Sequence, residues 1–201
     1  MSNTVRRAMI VVALAVAAGA LPTAPAEAKL RKLYSWSFPI ELNDTGVELP
    51  IEGFSQGVAE ARAVAELRRC FNCSFPVRGA PKQYPRNGQL LPLKGCTGAG
   101  TICKPAPGRS YTSIKGAVFQ NLMLVAQQGH FDGAGSRVIF RISVNLSGEL
   151  RLNVTGFVTN PTAPDWLIKK FAFQAWNYFG QRLGTNMWFH QGCKPVCGAP
   201  S

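Results

Sequence analysis

A histidine, an aspartate and a serine crowd into one Gly-rich loop: His130, Asp132 and Ser136 within GHFDGAGS, residues 129–136. In extended backbone, side chains two residues apart point the same way, so the Asp132 carboxylate can reach the His130 ring. A carboxylate so placed fixes the tautomer of the imidazole and raises its basicity, the first requirement of general acid–base catalysis. The one other histidine is His190. Two imidazoles facing each other across a phosphate, with Lys115, Arg137 or Arg141 to hold the developing charge, would give ribonuclease-like chemistry. Their spacing in the chain does not require that they meet. The plainer reading makes the loop a tight connection, in which the glycines take positive φ while Asp132 and Ser136 bond the local backbone. The loop feeds a strand pattern and lacks a following Lys-Ser/Thr, so it is neither a P-loop nor a dinucleotide-binding turn. A paired-carboxylate glycosidase is poorly supplied, because only Asp132, Glu149 and Asp165 follow Glu66.

The six cysteines fall in close pairs: Cys70 and Cys73, Cys96 and Cys103, Cys193 and Cys197. In an exported chain they read as three disulfides, with the near neighbours joined as local clips. A redox Cys-x-x-Cys is activated at a helix N-terminus, whereas Cys70 falls at the C-terminal end of an expected helix, where the dipole disfavours thiolate. Zinc would have to compete with oxidation outside the cytosol. No cofactor and no metal is expected.

Export itself is read from the N-terminus. Arg6 and Arg7 precede the apolar run Ala8–Leu21, and Ala26-Glu27-Ala28 offers small residues where a signal peptidase cuts. Residues 1–28 are therefore expected to be a cleaved signal peptide, Ala-rich in the bacterial manner, and 29–201 a single secreted domain. No later stretch approaches the ~20 apolar residues of a membrane span.

The net charge is +12, and no acidic residue occurs between Glu66 and Asp132. Such a field attracts anionic partners: nucleic acid, acidic lipid or a wall polymer. Arg78, Lys82 and Arg86 in the acid-free interval, with Arg137, Arg141 and Arg151 on one face of an expected hairpin, are the candidate anion-binding groups. The aromatics that could stack bases, Tyr84 and Tyr111, are not interleaved with the cations, so the nucleic-acid signal is weak. The reading that follows is a secreted, basic, disulfide-clipped domain that binds an anionic extracellular or envelope partner. The alternative is an exported hydrolase or toxin-like effector acting through His130, Asp132 and His190.

Several elements must position these groups. Tyr34, Trp36, Phe38, Ile40 and Leu42 alternate with polar residues, the pattern of a half-buried strand near 34–42, and Pro39 favours a sheet edge. Apolar residues at helical spacing over 56–70, with Ser55 as cap and Arg68 and Arg69 in the last turn, predict a helix. The interval 71–110 is rich in Pro and Gly and reads as a basic insert that the cysteines hold down. Residues 114–128 fit a strand buried on both faces, with a helical pattern almost as good. Alternation over 136–158 predicts a hairpin in which even positions pair with even positions. A three-residue loop at 147–149 would set Val144 opposite Leu152 and Phe140 opposite Gly156. A second amphipathic helix is expected near 165–183, facing the core or, with Lys169 and Lys170 among its aromatics, a membrane surface. The sum is an α+β fold: a small antiparallel sheet packed with two helices.

Overall fold

The computed structural model describes residues 29–41, 56–96, 103–115 and 118–192. The expected signal segment, Leu42, the Ser55 cap and the Cys193–Cys197 clip lie outside the described residues.

Alternating apolar residues build one antiparallel sheet. Its strands are β1 (Arg31–Pro39), β2 (Leu90–Leu91), β5 (Gly108–Lys115), β6 (Val118–Ala126), β7 (Arg137–Val144) and β8 (Leu150–Val158). They lie side by side in the order β1-β8-β7-β6-β5-β2, while β3 (Lys94–Cys96) and β4 (Cys103–Pro105) form a separate ribbon. β1 takes an edge, where the missing donor of Pro39 does no harm. Helices α1 (Gln56–Arg69), the single turn α2 (Phe71–Ser74) and α3 (Asp165–Met187) pack on one face of the sheet, and a π-helical turn, Trp188–Gly192, follows α3. The α+β architecture expected from the sequence is the one found.

The core lies between that face and the helices. Leu122, Phe140, Ile142, Leu152 and Val154 meet Ala63, Leu67, Phe179 and Leu183 there, all of them buried. An aromatic knot ties the layers, with Phe140 edge-on to Trp176 at 4.8 Å between centroids and Phe75 edge-on to Phe179 at 5.4 Å. α3 runs one turn beyond its expected end, and it approaches the exit of β1 so closely that a Cβ on Gly184 would fall inside the Glu41 carbonyl.

Three expectations are corrected. The strand placed at 114–128 is β6, shorter than expected, and the polar-looking GRSYTSIK before it is β5. β6 is not buried on both faces: Leu122, Leu124 and Ala126 are buried, but Met123 and Val125 only partly so, because the helices cover one side. The hairpin keeps even-to-even parity with its register displaced, pairing Val144 with Leu150, Ile142 with Leu152 and Phe140 with Val154. The cause is Asn145, whose Oδ1 accepts the N–H groups of Ser147 (3.0 Å) and Glu149 (2.9 Å) and so folds residues 145–149 into the loop. Leu146 is left exposed. Gly156 consequently faces Val138 and Tyr34 rather than Phe140, and the Tyr34 ring lies where a Cβ on Gly156 would sit.

The insert at 71–110 is pinned as the cysteines implied. Disulfides join Cys70 to Cys73 and Cys96 to Cys103. Backbone bonds from Phe71 N–H to the Lys82 carbonyl (2.7 Å), Ala106 N–H to Leu93 (2.8 Å) and Gly88 N–H to Ser110 (2.7 Å) stitch it to the sheet and helices. Phe75, Leu91 and Leu93 sink into the core and anchor it by burial.

Candidate functional site

Between β6 and β7 the chain must reverse, and the Gly-rich loop does this as a braced turn. Its base is closed by Ala126 N–H to the Ser136 carbonyl (2.8 Å) and Gly135 N–H to the Ala126 carbonyl (2.9 Å). Ser136 is buried, donates from Oγ to the Asp132 carbonyl (2.5 Å) and accepts the Thr159 N–H (3.0 Å). Its hydroxyl therefore serves the backbone and is not offered to His130. The Phe131 carbonyl accepts both the N–H (2.9 Å) and the hydroxyl (3.0 Å) of Thr162. Gly133, at φ +87°, passes the Asn160 carbonyl at a distance that leaves no room for a Cβ.

Braced in this way, His130, Phe131 and Asp132 form part of the wall of a cavity of about 430 Å³. Tyr34, Leu124, Val138 and Gly156 supply its sheet side, and Ile168, Ala172 and Trp176 its helix side. The volume falls in the range of small-ligand pockets, roughly 300–1,000 Å³, which are mostly apolar with a few convergent polar groups. Three cations line it as well: Arg78, Lys94 from β3 and Arg137 from the start of β7, all exposed.

The geometry of His130 differs from that of a catalytic dyad. Its Nδ1 accepts the backbone N–H of Asp132 at 3.0 Å, so the ring proton of the neutral form sits on Nε2. The Asp132 carboxylate lies 3.9 Å from the same nitrogen and makes no hydrogen bond to it. A general base would need the reverse, with Nδ1–H given to the carboxylate and a free lone pair on Nε2. Burial pushes the imidazole down to about 4 and the carboxyl up to about 6. Near neutral pH His130 is thus an uncharged donor. The Asp132 Oδ1 is buried and has no hydrogen-bond partner. Tyr34 faces the same space: its hydroxyl accepts the Trp176 Nε1–H at 3.1 Å, and burial drives its pKa upward, opposed by that bond and reinforced by the nearby charge of Asp132.

His190 is not brought to His130. It lies on the turn after α3, with Nδ1 donating to the Asn186 carbonyl (2.7 Å) and 3.5 Å from Glu66 Oε1, and it takes no part in the cavity wall. Glu66, fully buried, is gripped by the guanidinium of Arg69 through Nε (2.9 Å) and Nη2 (2.6 Å). Of the two imidazoles only His130 lines the cavity, His130 lying in the loop between β6 and β7 and His190 on the turn after α3.

The expected anion-binding residues divide. Arg78 and Arg137 reach the cavity wall. Arg141 is exposed on the open face of the sheet, opposite Asn153. Arg151 is engaged by the Ser37 carbonyl (3.1 Å) and Glu149 (3.3 Å). Lys82 and Arg86 are exposed on the insert, outside the cavity wall. Sequence reasoning missed Lys94, Tyr34, Trp176 and Phe131 as site residues. The signal that could have found them was Gly156, a gap in an otherwise alternating strand that demands a large neighbour or leaves a hollow.

The chain matches no protein-family model and no curated protein sequence. Among solved structures, the chain is similar to the following crystal structures. Protein CV1439 from Chromobacterium violaceum is 10% identical, the match covering 73% of this chain and 93% of that one with a TM-score of 0.45. Protein NE0264 from Nitrosomonas europaea is 9% identical, covering 80% and 96%, with a TM-score of 0.46.

Proposed function

We propose that this is an extracytoplasmic binding protein for an amphipathic anion, an acidic lipid or fatty-acid-like molecule whose apolar part enters the cavity while its charged group meets Arg78, Lys94 and Arg137. The observation that carries the reading is one apolar cavity lined at once by aromatic side chains and by three exposed cations. Of the anionic partners that the charge admits, a wall polymer has no apolar part to fill that space, and nucleic acid offers flat bases where Leu124, Val138, Ile168 and Ala172 favour an aliphatic body. Exposed Trp166 and Phe173, with Lys169 and Lys170 on the same helix, suit contact with the lipid surface from which such a ligand would come. The disulfides suit an oxidising compartment, and no helix of the described residues is long and apolar enough to cross a membrane.

The test is displacement of a fluorescent fatty-acid probe from the purified, oxidised protein by saturated acids of about eight to sixteen carbons. Each buried methylene contributes about 0.8 kcal/mol, so affinity rises roughly fourfold per carbon until the cavity is full, then levels off. Alkyl-trimethylammonium ions of equal length bind roughly tenfold more weakly, and Ala172→Trp, which fills the cavity, abolishes uptake. Tight, salt-sensitive binding of DNA or polyphosphate with no uptake of any acid would contradict the proposal.

A further inference from the structure

We infer that the cavity selects a ligand carrying a hydroxyl or amide group on its apolar body, recognised by His130 as donor and Asp132 as acceptor. The inference rests on the ligand reading above and adds to it a polar point of recognition within an otherwise apolar wall.

Buried polar groups in folded proteins find partners, and each exception asks for an explanation. The Asp132 carboxyl is such an exception: among the described residues Oδ1 is buried without a partner, and Oδ2 lies 3.9 Å from His130 Nδ1, too far for a hydrogen bond to it. The neighbouring groups cannot supply one. His130 Nδ1 is taken by the Asp132 amide, the Ser136 hydroxyl donates to the Asp132 carbonyl, and the Tyr34 hydroxyl, which accepts from Trp176 and keeps its own proton, makes no hydrogen bond to Oδ1. Asp132 is nonetheless 23% exposed at its side chain, and both it and His130 line the cavity. A group inside the cavity can therefore reach the accessible part of that side chain, beside the enclosed Oδ1.

The tautomer fixes what that group must be. With Nδ1 occupied as an acceptor, His130 carries its proton on Nε2, and its ring lines the cavity. The wall thus offers one donor and one acceptor on residues that the loop holds side by side. A hydroxyl or amide uses both, because each of those groups donates and accepts. An ammonium would satisfy the carboxylate but face the Nε2–H with a like-signed dipole, and a plain methylene chain would leave both groups unsatisfied. Sites built to bond a hydroxyl discriminate against the analogue that lacks it for this reason.

The experiment measures binding of tetradecanoate, a set of its hydroxyl isomers with the group at successive carbons, and the corresponding amino acids, to the oxidised full chain. At least one hydroxyl isomer is expected to bind roughly tenfold more tightly than tetradecanoate. Asp132→Leu removes that preference, so that tetradecanoate and its hydroxyl isomers bind alike, and Asp132→Asn, which keeps an acceptor, retains most of it. A thermal melt of each variant confirms folding. Equal binding of tetradecanoate and every hydroxyl isomer overturns the inference and leaves the ligand reading standing. Preference for an amino isomer, lost in Asp132→Asn, overturns it in favour of simple charge pairing. Failure of every acid to bind overturns the ligand reading, and the inference with it.

Discussion

The two histidines of the chain each sit beside an acid, and the two pairs are built in opposite ways. Glu66 is fully buried, yet both of its oxygens are held by Arg69, and His190 leans on the Asn186 carbonyl. Asn186 in turn donates to the Cys73 carbonyl (3.1 Å) and the Ser74 hydroxyl (2.9 Å), so the cluster ties α1, α2 and α3 together. Asp132 is less buried, but its Oδ1 has no hydrogen-bond partner among the described residues, and it borders a cavity. Satisfaction, more than burial or residue type, separates a group that holds the fold from one left open to a ligand.

The largest expected effect that sharpens this contrast is in pH dependence. The Asp132 carboxyl lies at about 6 when folded against 3.8 ordinarily, so the native state takes up its proton first and gains stability as pH falls from 6 toward 4. His130 lies at about 4 against 6.5, so the unfolded chain takes up that proton first and stability is lost as pH falls from 6.5 toward 4. The two slopes oppose each other, and Tyr34, the other titratable group facing Asp132, stays neutral throughout. Asp132→Asn removes the gain and leaves the loss. Urea unfolding at pH 6.5 and pH 4 should show the wild type improving on the variant by about 3 kcal/mol across that interval. A difference independent of pH would break the comparison at Asp132.

At the satisfied pair, Arg69→Ala should destabilise by about 2–3 kcal/mol in urea unfolding at neutral pH. The loss falls short of the full cost of orphaning a buried charge because Arg69 is itself part-exposed and water can follow the truncation. At the unsatisfied pair the sign reverses. Asp132→Leu replaces a partnerless carboxylate with an apolar group of similar size and should stabilise by about 1–2 kcal/mol at pH 7.5, read as a higher urea midpoint. The smallest effect is at His190, exposed and bonded through one nitrogen: His190→Gln should change stability by less than about 1 kcal/mol and leave ligand binding unaltered. Loss of binding in that variant would mean that the two regions are coupled.

How far all this can be read from the chain depends on the range of the interaction involved. Parity in the hairpin was legible, because Val138, Phe140, Ile142, Leu150, Leu152 and Val154 alternate without interruption. Its register was not, because it turns on one Asn145 side chain bonding the backbone of its own loop. Helices α1 and α3 announced themselves by period, and the paired cysteines of the insert by proximity. β5 hid because Arg109, Ser110, Thr112 and Ser113 carry no apolar alternation and gain their place from pairing with β6. The loop at 129–136 was visible both as a candidate site and as a tight connection, but not the bond that its imidazole makes. A backbone amide, which no side-chain pattern displays, took the nitrogen that a carboxylate was expected to hold. The cavity was illegible because it is assembled from Tyr34, Lys94, His130 and Trp176, far apart in sequence and joined by topology alone.

Because the chain contains two histidines, the imidazole nitrogens can be followed directly. The most direct test of the account is a long-range proton–nitrogen correlation spectrum of the labelled protein near pH 7, recorded with and without tetradecanoate. The account predicts one ring, His130, protonated on Nε2, titrating only near pH 4 and moving on addition of the acid, while the His190 signals stay in place. A His130 ring protonated on Nδ1 and titrating near 6.5, or one unmoved by a ligand that binds, would contradict it.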